Sequence, residues 1–416
     1  MNRIFTFSLV LFLAFLNEGY GQVEQVSIGA SYSQQAYYKL STGEVTSVSN
    51  DAWDIAFSNE GMVDAGIFIN ESAGFMASPV KVYLSSESDW NNPITDVSVF
   101  VDDVMLLNPE SNWTTGALNT VADANNPLDY GWGSYNTTTH TVDGDKIFVV
   151  QKRDGSFIKM QITSLSGGAY NFKYADLDGS NEVSTSVSKE DSAGQALIYF
   201  SFDTGDEVDM PTDYDLIFQR YSTPIPDGTG SVINYTVSGV LLAPNTSAVV
   251  ALDVDPETVQ ESDYADQYST EVSTIGYDWK SYDFTSGWLI DDSRANFVKT
   301  SEGELYKIVF YDFEGSSTGI TTLEKTALGT TNTKQLDNAI SSLEFYPNPS
   351  NGYVTIKGLQ PSSLVSVYNT DGKQLMRAEG LNNAGELNLS SLADGIYKIV
   401  VQTGNTVSAQ SLILTK

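Results

Sequence analysis

The feature that most constrains this chain is a duplicated stretch of sequence. Residues 52–57, Ala-Trp-Asp-Ile-Ala-Phe, alternate apolar with small or polar side chains, which is the period of a half-buried strand. The pattern of aromatic residue, Asp, aliphatic residue, any residue and Phe returns at residues 214–218. The segments before them match too, since residues 37–44 correspond to residues 199–206. The chain therefore contains two copies of one unit, which we place at residues 22–190 and 191–331.

Three further matches follow in the same order along the two copies. They pair residues 104–109 with 239–244, 132–135 with 279–282, and 149–160 with 297–308. In the last pair, Asp154-Gly155 and Glu302-Gly303 each separate two apolar-alternating runs, which is typical of a hairpin turn with positive φ at Gly. The order of the matches indicates a duplication of the whole unit.

An all-β fold is the prediction for the whole chain. Tyr, Phe and Gly are abundant, and no long stretch after the first residues has a helical period. We expect two related tandem β lobes followed by a small C-terminal β-sandwich. Trp53 and its counterpart Tyr214 are expected in a core, so Trp53→Ala would cost about 3–5 kcal/mol. Whether the two copies fold separately or pack into one unit stays open.

The two ends of the chain differ from the middle. Residues 1–21 begin with Arg3, continue with about thirteen apolar residues and end in small residues, which predicts a secretory signal peptide. A short membrane anchor is the alternative. Residues 332–341 are small and polar, as in a linker, and residues 342–416 contain short apolar runs separated by Asn, Asp and Gly turns.

Charge and cysteine content exclude several functions. The net charge is -32, and the tail at 342–416 has equal numbers of acidic and basic residues, so the acidity lies in the middle. Such a surface repels phosphate backbones, which argues against nucleic-acid binding. The chain has no Cys, so disulfides, thiolate metal sites and a lipid-modified Cys are absent. Acidic runs at 176–182 and 253–257 are expected to be solvated turns, although their spacing faintly resembles a calcium loop.

The tail resembles the type A C-terminal sorting domain of the type IX secretion system of Bacteroidota. The residues that carry the resemblance are Tyr346, Pro347, Asn348, Pro349, Gly352, Gly372, Gly395, Tyr397 and Lys416. The resemblance implies export through the periplasm and then across the outer membrane, with the secretion machinery as partner. The protein would then be secreted or attached to the outer-membrane surface.

The duplicated unit resembles the HmuY-like family of secreted haem-binding β proteins, through residues 38–44, 53–57, 214–221 and 235–242. The family's best-known members are lipoproteins that ligate iron with pairs of His or Met. This chain has one histidine, His140, so a bis-His site within one molecule is excluded. The candidate haem ligands are therefore Met62, Met76 and His140. The second copy offers only Met210 and a tyrosine such as Tyr221.

Two other functions remain as alternatives to a haem-binding protein. One is a surface protein for adhesion or glycan contact, for which Trp90, Trp113 and Trp288 are candidate contact residues. The other is a hydrolase, against which the sequence argues. It has no zinc-binding His pair and no Gly-x-Ser-x-Gly elbow, although paired carboxylates for glycoside hydrolysis are not excluded by spacing. We therefore expect a non-enzymatic binding protein.

Overall fold

The computed structural model describes residues 21–61, 64–330, 344–369, 374–403 and 406–416. The signal-peptide prediction, the candidate ligand Met62 and the motif residue Gly372 lie outside these ranges. Within them, regular structure consists of β-strands and short 3₁₀ segments, so the all-β prediction is confirmed. The chain divides into two compact units, Met1–Gly329 and Thr330–Lys416.

The described residues of the first unit form twenty-two strands. Those of the first copy are β1 (Gln22–Ser27), β2 (Gln34–Tyr38), β3 (Val45–Ser49), β4 (Ile55–Ser58), β5 (Ile67–Ile69), β6 (Lys81–Leu84), β7 (Gly133–Asn136), β8 (Thr141–Gly144), β9 (Phe148–Gln151), β10 (Phe157–Ser166), β11 (Ala169–Asp176) and β12 (Val183–Ser188). Those of the second copy are β13 (Leu197–Ser201), β14 (Asp206–Val208), β15 (Leu216–Pro226), β16 (Val232–Leu242), β17 (Ser247–Ala251), β18 (Lys280–Asp283), β19 (Gly287–Ile290), β20 (Ala295–Lys299), β21 (Glu304–Phe313) and β22 (Ile320–Thr330).

Four main sheets are built from these strands. Sheet A has the order β1-β22-β21-β20-β17, and sheet B has the order β16-β15-β2-β3. Sheet C has the order β14-β13-β4-β5. Sheet D contains β12-β11-β10-β8-β7, with β9 joining β10 to β6. A separate hairpin pairs β18 with β19. The predicted hairpin turns are present between β9 and β10 and between β20 and β21, with φ of 85° at Gly155 and 79° at Gly303.

Each lobe is a pair of sheets around one core. Sheets C and D enclose the core of lobe 1, which includes Phe57, Trp132 and Phe172. Sheets A and B enclose the core of lobe 2, which includes Phe218 and Trp279. Lobe 1 is therefore one continuous segment, β4 to β14, whereas lobe 2 combines β1–β3 with β15–β22. The sequence repeat and the packed lobes are offset from each other: the repeat divides near residue 190, but β13 and β14 complete lobe 1.

A third core joins the two lobes. The central strands of sheets B and C are buried on both faces, so alternate residues enter different cores. On β4, Ile55 and Phe57 face the lobe 1 core, whereas Ala56 faces the third core. Trp53 is 7% exposed and lies in this third core, where its ring packs edge-on against Tyr199 at 4.9 Å between centroids. The two copies thus form one packed unit, with sheets in the order D, C, B, A.

The second unit is the small β domain expected for the tail. Its strands are β23 (Glu344–Tyr346), β24 (Tyr353–Tyr368), β25 (Gln374–Asn388), β26 (Gly395–Thr403) and β27 (Thr406–Leu414). The long strand β24 pairs with β23 through its first half and with β26 through its second half. Three of the four register shifts between β24 and β25 fall between Lys357 and Val365, where these halves meet and where extra residues bend a strand. A core that includes Val354, Val367, Ile399 and Leu412 fills the domain.

Candidate functional site

The aspartates of the duplicated motif have a structural role. Asp54 precedes β4, and its Oδ2 accepts a hydrogen bond of 2.7 Å from the backbone N–H of Phe202 at the end of β13. Asp215 precedes β15, and its Oδ2 accepts the equivalent bond of 2.8 Å from the N–H of Leu40, just after β2. Each carboxylate therefore fastens the neighbouring strand of its sheet. The Asp is present in both copies of the motif because each copy uses it for the same hydrogen bond to a neighbouring strand.

Each of these buried carboxylates has a basic partner. Arg153 Nη1 lies 2.6 Å from Asp54 Oδ1, and Lys39 Nζ lies 3.4 Å from Asp215 Oδ1. Burial raises the pKa of both carboxyl groups above the ordinary value, and the basic partners oppose that rise. These aspartates hold strands together and leave no group free for chemistry.

Two further repeated positions are also structural. The fully buried Lys159 donates from Nζ to the carbonyl oxygen of Trp90 at 2.7 Å, and Lys307 donates in the same way to Pro256 at 2.6 Å. Each lysine on the second strand of its hairpin therefore holds a crossing loop. The repeated residues that reveal the duplication therefore hold strands and loops together, and they do not mark a ligand site.

The two candidate haem ligands within the described residues, Met76 and His140, lie in different connecting segments. Met76 is 89% exposed, in the segment between β5 and β6, and has φ of 66°. His140 lies in the turn between β7 and β8, where its Nδ1 is 2.8 Å from the hydroxyl of Tyr135. Tyr221, the remote candidate from the second copy, is buried in the core between the lobes. Met210 is buried in the same core.

Met76 lines an open groove of about 360 Å³, which we call the Met76 groove. Its lining residues are Ala73, Phe75, Met76, Ala77, Pro79, Arg220, Asn234, Tyr235 and Thr236. The segment before β6 forms one wall, and the outer half of the β15–β16 hairpin forms the other. Phe75 and Tyr235 are both about half exposed, so two aromatic rings and a thioether face solvent here.

Arg220 gives the Met76 groove a positive charge. Its guanidinium donates to the carbonyl oxygens of Ala73 and Gly74 at 3.0 and 2.8 Å, and it lies 5.6 Å from the ring of Tyr32. Burial lowers the pKa of Arg220 from its ordinary value, although a guanidinium stays charged. Within the described residues Arg220 forms no ion pair, in a chain whose net charge is -32. No sequence pattern connects Arg220 with Met76, because only the fold brings β15 beside the segment before β6.

The three tryptophans proposed for surface contact have different environments. Trp90 is buried, and its Nε1 donates to Glu182 at 2.7 Å. Trp113 is partly buried and donates to the carbonyl oxygen of Leu242. Trp288, on β19, packs against Tyr282 at 5.2 Å, and the 97% exposed Phe284 lies at the tip of the same hairpin. Of the three, only Trp288 belongs to an exposed aromatic cluster.

The acidic runs are turns. Asp178 Oδ1 accepts hydrogen bonds from the backbone and hydroxyl of Ser180 between β11 and β12. Asp255 accepts in the same way from Glu257 N–H. Among the residues that the structure describes, no group of three or more acidic or histidine side chains is placed to hold a metal ion.

The fold of the tail brings its motif residues beside the C-terminus. The backbone N–H of Ser350 donates to Ile413, and that of Thr415 donates back to Ser350, both at 2.8 Å. Residues 346–349 are exposed along this edge. Lys416 Nζ donates to the carbonyl oxygens of Ser390 and Leu392. The exposed motif and the chain end therefore form one continuous surface of the tail domain.

Local geometry explains one motif glycine and one motif tyrosine. Gly352 has φ of 124°, a conformation that L side chains rarely adopt, and a Cβ there would lie 3.3 Å from Ser390 Cα. Gly395 begins β26, and the buried Tyr397 donates from its hydroxyl to Ala393 at 2.7 Å. Gly352 and Tyr397 therefore shape the domain, whereas residues 346–349 are exposed on its surface.

The all-β architecture and the tail define an exported protein directed to the cell surface or secreted. Residues 344–415 match the family described as secretion system C-terminal sorting domain. Residues 31–175, from before β2 into β11, match the family described as HmuY protein. The two resemblances seen in the sequence are thus confirmed. The sorting domain implies contact with the secretion machinery.

Comparison with solved structures gives a more distant similarity. One solved chain is described as PorZ, an essential bacterial surface component of the type-IX secretion system of Porphyromonas gingivalis. It is 12% identical, with a TM-score of 0.17, and the alignment covers 90% of this chain and 55% of that one. Comparison with curated protein sequences gives no match. In the described ranges, no helix has the length and apolar character needed to cross a bilayer.

Proposed function

We propose that this is a non-enzymatic surface protein of a Bacteroidota cell that captures haem, or a related planar ligand bearing carboxylates, in the Met76 groove. One observation carries the proposal: an exposed thioether, two half-exposed aromatic rings and an arginine without an ion pair line the same open groove. In this reading residues 1–21 act as a cleaved signal peptide, and the tail directs the protein outward.

The backbone at Met76 supports this assignment. A methionine with positive φ is uncommon, and such conformations concentrate at functional sites. A large apolar side chain that is 89% exposed also forgoes burial that would otherwise stabilise the fold. Both features are accounted for if Met76 contacts a ligand.

The residues of the groove fit an amphipathic macrocycle. When bound, haem would supply an iron atom, for which thioether sulfur is one of the known protein ligands. Met76 would donate that sulfur, whereas Phe75 and Tyr235 would cover apolar faces of the ring. Arg220 would attract a carboxylate, since its guanidinium suits that geometry. His140 takes no part, because it lies in the β7–β8 turn and contacts Tyr135.

Titration with haemin tests the proposal. The full chain should shift the Soret band of haemin in a saturable way, in the ferric or the ferrous state. Met76→Ala should weaken binding at least about tenfold, and His140→Ala, the matched control, should not. Absence of a Soret shift in both oxidation states would refute haem as the ligand. Loss of binding in His140→Ala but not in Met76→Ala would refute the Met76 groove as the haem-binding site.

A specific observation favours glycan contact as a second candidate function. Tyr282, Phe284 and Trp288 form an exposed aromatic cluster on the β18–β19 hairpin, with centroid distances of 5.7 Å from Tyr282 to Phe284 and 5.2 Å from Tyr282 to Trp288. The rings of each pair are edge to face, and the exposed faces of Tyr282 and Phe284 suit the apolar faces of sugar rings. Binding on a glycan array that is lost in Phe284→Ala and kept in Met76→Ala would support this function, and the reverse result would refute it.

A further inference from the structure

A second cavity, of about 50 Å³, lies in the third core between the lobes. Its aromatic lining consists of Tyr37, Trp53, Phe68, Trp113, Tyr199 and Tyr221. A buried water requires roughly 10–15 Å³, so the cavity has room for a few waters or for a ligand of a few non-hydrogen atoms. Sheets B and C both contribute to the wall, so neither lobe encloses this cavity alone.

Two carboxylates line the cavity between the lobes. Glu71 is buried, and its Oε1 and Oε2 accept hydrogen bonds from the backbone N–H groups of Asn108 at 2.8 Å and Ser222 at 3.2 Å. Glu110 Oε1 accepts one from the hydroxyl of Thr223 at 2.5 Å. Burial raises the pKa of Glu71 to about 7, and the charge of Glu110 adds to the rise.

No cation balances these two carboxylates in the described part of the chain. No lining residue is Lys, Arg or His, and neither Glu71 nor Glu110 forms an ion pair there. The contrast with Asp54 and Asp215 is direct, because each of those buried carboxylates has a basic partner. A buried charge without a partner is costly unless a ligand supplies the opposite charge.

Tyr221 provides an independent observation. Its side chain lines the cavity and is 4% exposed, yet its hydroxyl has no hydrogen-bond partner among the residues that the structure describes. Burial raises the pKa of this phenol, and the charge of Glu110, which lines the same cavity, raises it further. A buried polar group without a partner costs about 1–3 kcal/mol, which a ligand in the cavity would recover.

We propose that the cavity between the lobes binds a small organic cation of the ammonium class. Glu71 and Glu110 supply the opposite charge, and the hydroxyl of Tyr221 accepts a hydrogen bond or lies against the cation. The aromatic walls attract ammonium groups through the negative faces of their rings. A divalent metal is disfavoured, because it requires more oxygen ligands than this wall offers. The segment 108–113 contributes five residues to the lining, and these five are only partly buried, so we expect the ligand to enter on this side.

Calorimetric titration of the full chain tests the site, with methylammonium and tetramethylammonium chloride as probes and with KCl and NaCl at equal ionic strength. One ammonium probe should bind saturably and should change tryptophan fluorescence, because Trp53 and Trp113 line the cavity. Tyr221→Phe removes only an unbonded hydroxyl and should weaken binding several-fold. Glu71→Gln keeps the side-chain shape and should weaken it about tenfold or more. Asp283→Asn, an exposed acid elsewhere, should have no effect.

Three results would overturn this assignment. The first is the absence of saturable binding of either ammonium probe. The second is equal affinity for K⁺ and for the ammonium probes, which would show that the site holds any monovalent ion. The third is unchanged binding in Glu71→Gln when circular dichroism shows the native fold. The haemin titration is independent, since Met76→Ala should leave ammonium binding intact.

Discussion

The buried pair of Asp54 and Arg153 gives a sharp test of how the duplicated motif stabilises the fold. Arg153 also lies 3.3 Å from Asp51, so one guanidinium contacts two carboxylates. The side chain of Asp54 is 5% exposed and that of Asp51 is 78% exposed. Asp54→Asn and Asp51→Asn therefore remove the same charge from the same partner in two different environments.

The expected costs differ severalfold. Removing one member of a buried pair costs about 3–5 kcal/mol. Two features reduce the expected cost of Asp54→Asn. Arg153 is 17% exposed, so water still reaches the charge that the substitution leaves behind. The neutral Asn side chain also avoids the desolvation of a buried carboxylate, which raises the pKa of Asp54. Asn also weakens the charge-assisted bond from Phe202 N–H. We expect a loss of about 2–3 kcal/mol for Asp54→Asn, and about 0–0.5 kcal/mol for the exposed Asp51→Asn.

Urea unfolding monitored by tryptophan fluorescence measures this difference. The six tryptophans all lie in the first unit, so the signal excludes the tail domain: Trp53, Trp90, Trp113, Trp132, Trp279 and Trp288. The slope of the unfolding free energy against urea should stay unchanged while the midpoint falls. If Asp54→Asn costs no more than Asp51→Asn, the motif aspartate does not fasten β13 to β4, and the structural reading of the duplication is refuted.

Three further predictions follow from the same structure. Burial raises the pKa of Glu71 to about 7, so between pH 4.5 and 7 the folded protein keeps a proton on Glu71 that the unfolded chain releases. The unfolding free energy should therefore fall by about 3 kcal/mol as the pH rises across that range. Urea titrations at several pH values would show this slope, and Glu71→Gln should abolish it. Trp53→Ala, measured by circular dichroism, should cost about 3–5 kcal/mol, because the indole fills the core between the lobes and packs against Tyr199. A fragment of residues 53–209 should unfold cooperatively in urea. The fragment 22–190 should not, because it lacks β13, which pairs with β4. Cooperative unfolding of 22–190 would contradict the assignment of strands to lobes.

Much of the fold was predictable from the sequence, because it depends on local patterns. Alternating apolar residues and glycine turns indicate strands whatever their partners are, so the all-β class and the turns at Gly155 and Gly303 follow directly. The duplication and the sorting motif are likewise properties of residue order. The candidate site was less predictable: Met76 was singled out for its chemistry alone, and Arg220 lies 144 positions further along the chain.

Tertiary structure alone decided which strands share a sheet and which faces meet. Alternation of apolar and polar side chains shows that one face of a strand is buried, but it does not identify the surface that covers this face. Strands β1–β3 therefore could not be assigned to lobe 2, nor β13 and β14 to lobe 1, before their backbone hydrogen bonds were known. For the same reason Trp53, expected in the core of one lobe, lies between two lobes. Backbone groups pair without regard to side-chain identity, so sequence determines that strands form and only the assembled fold selects their neighbours.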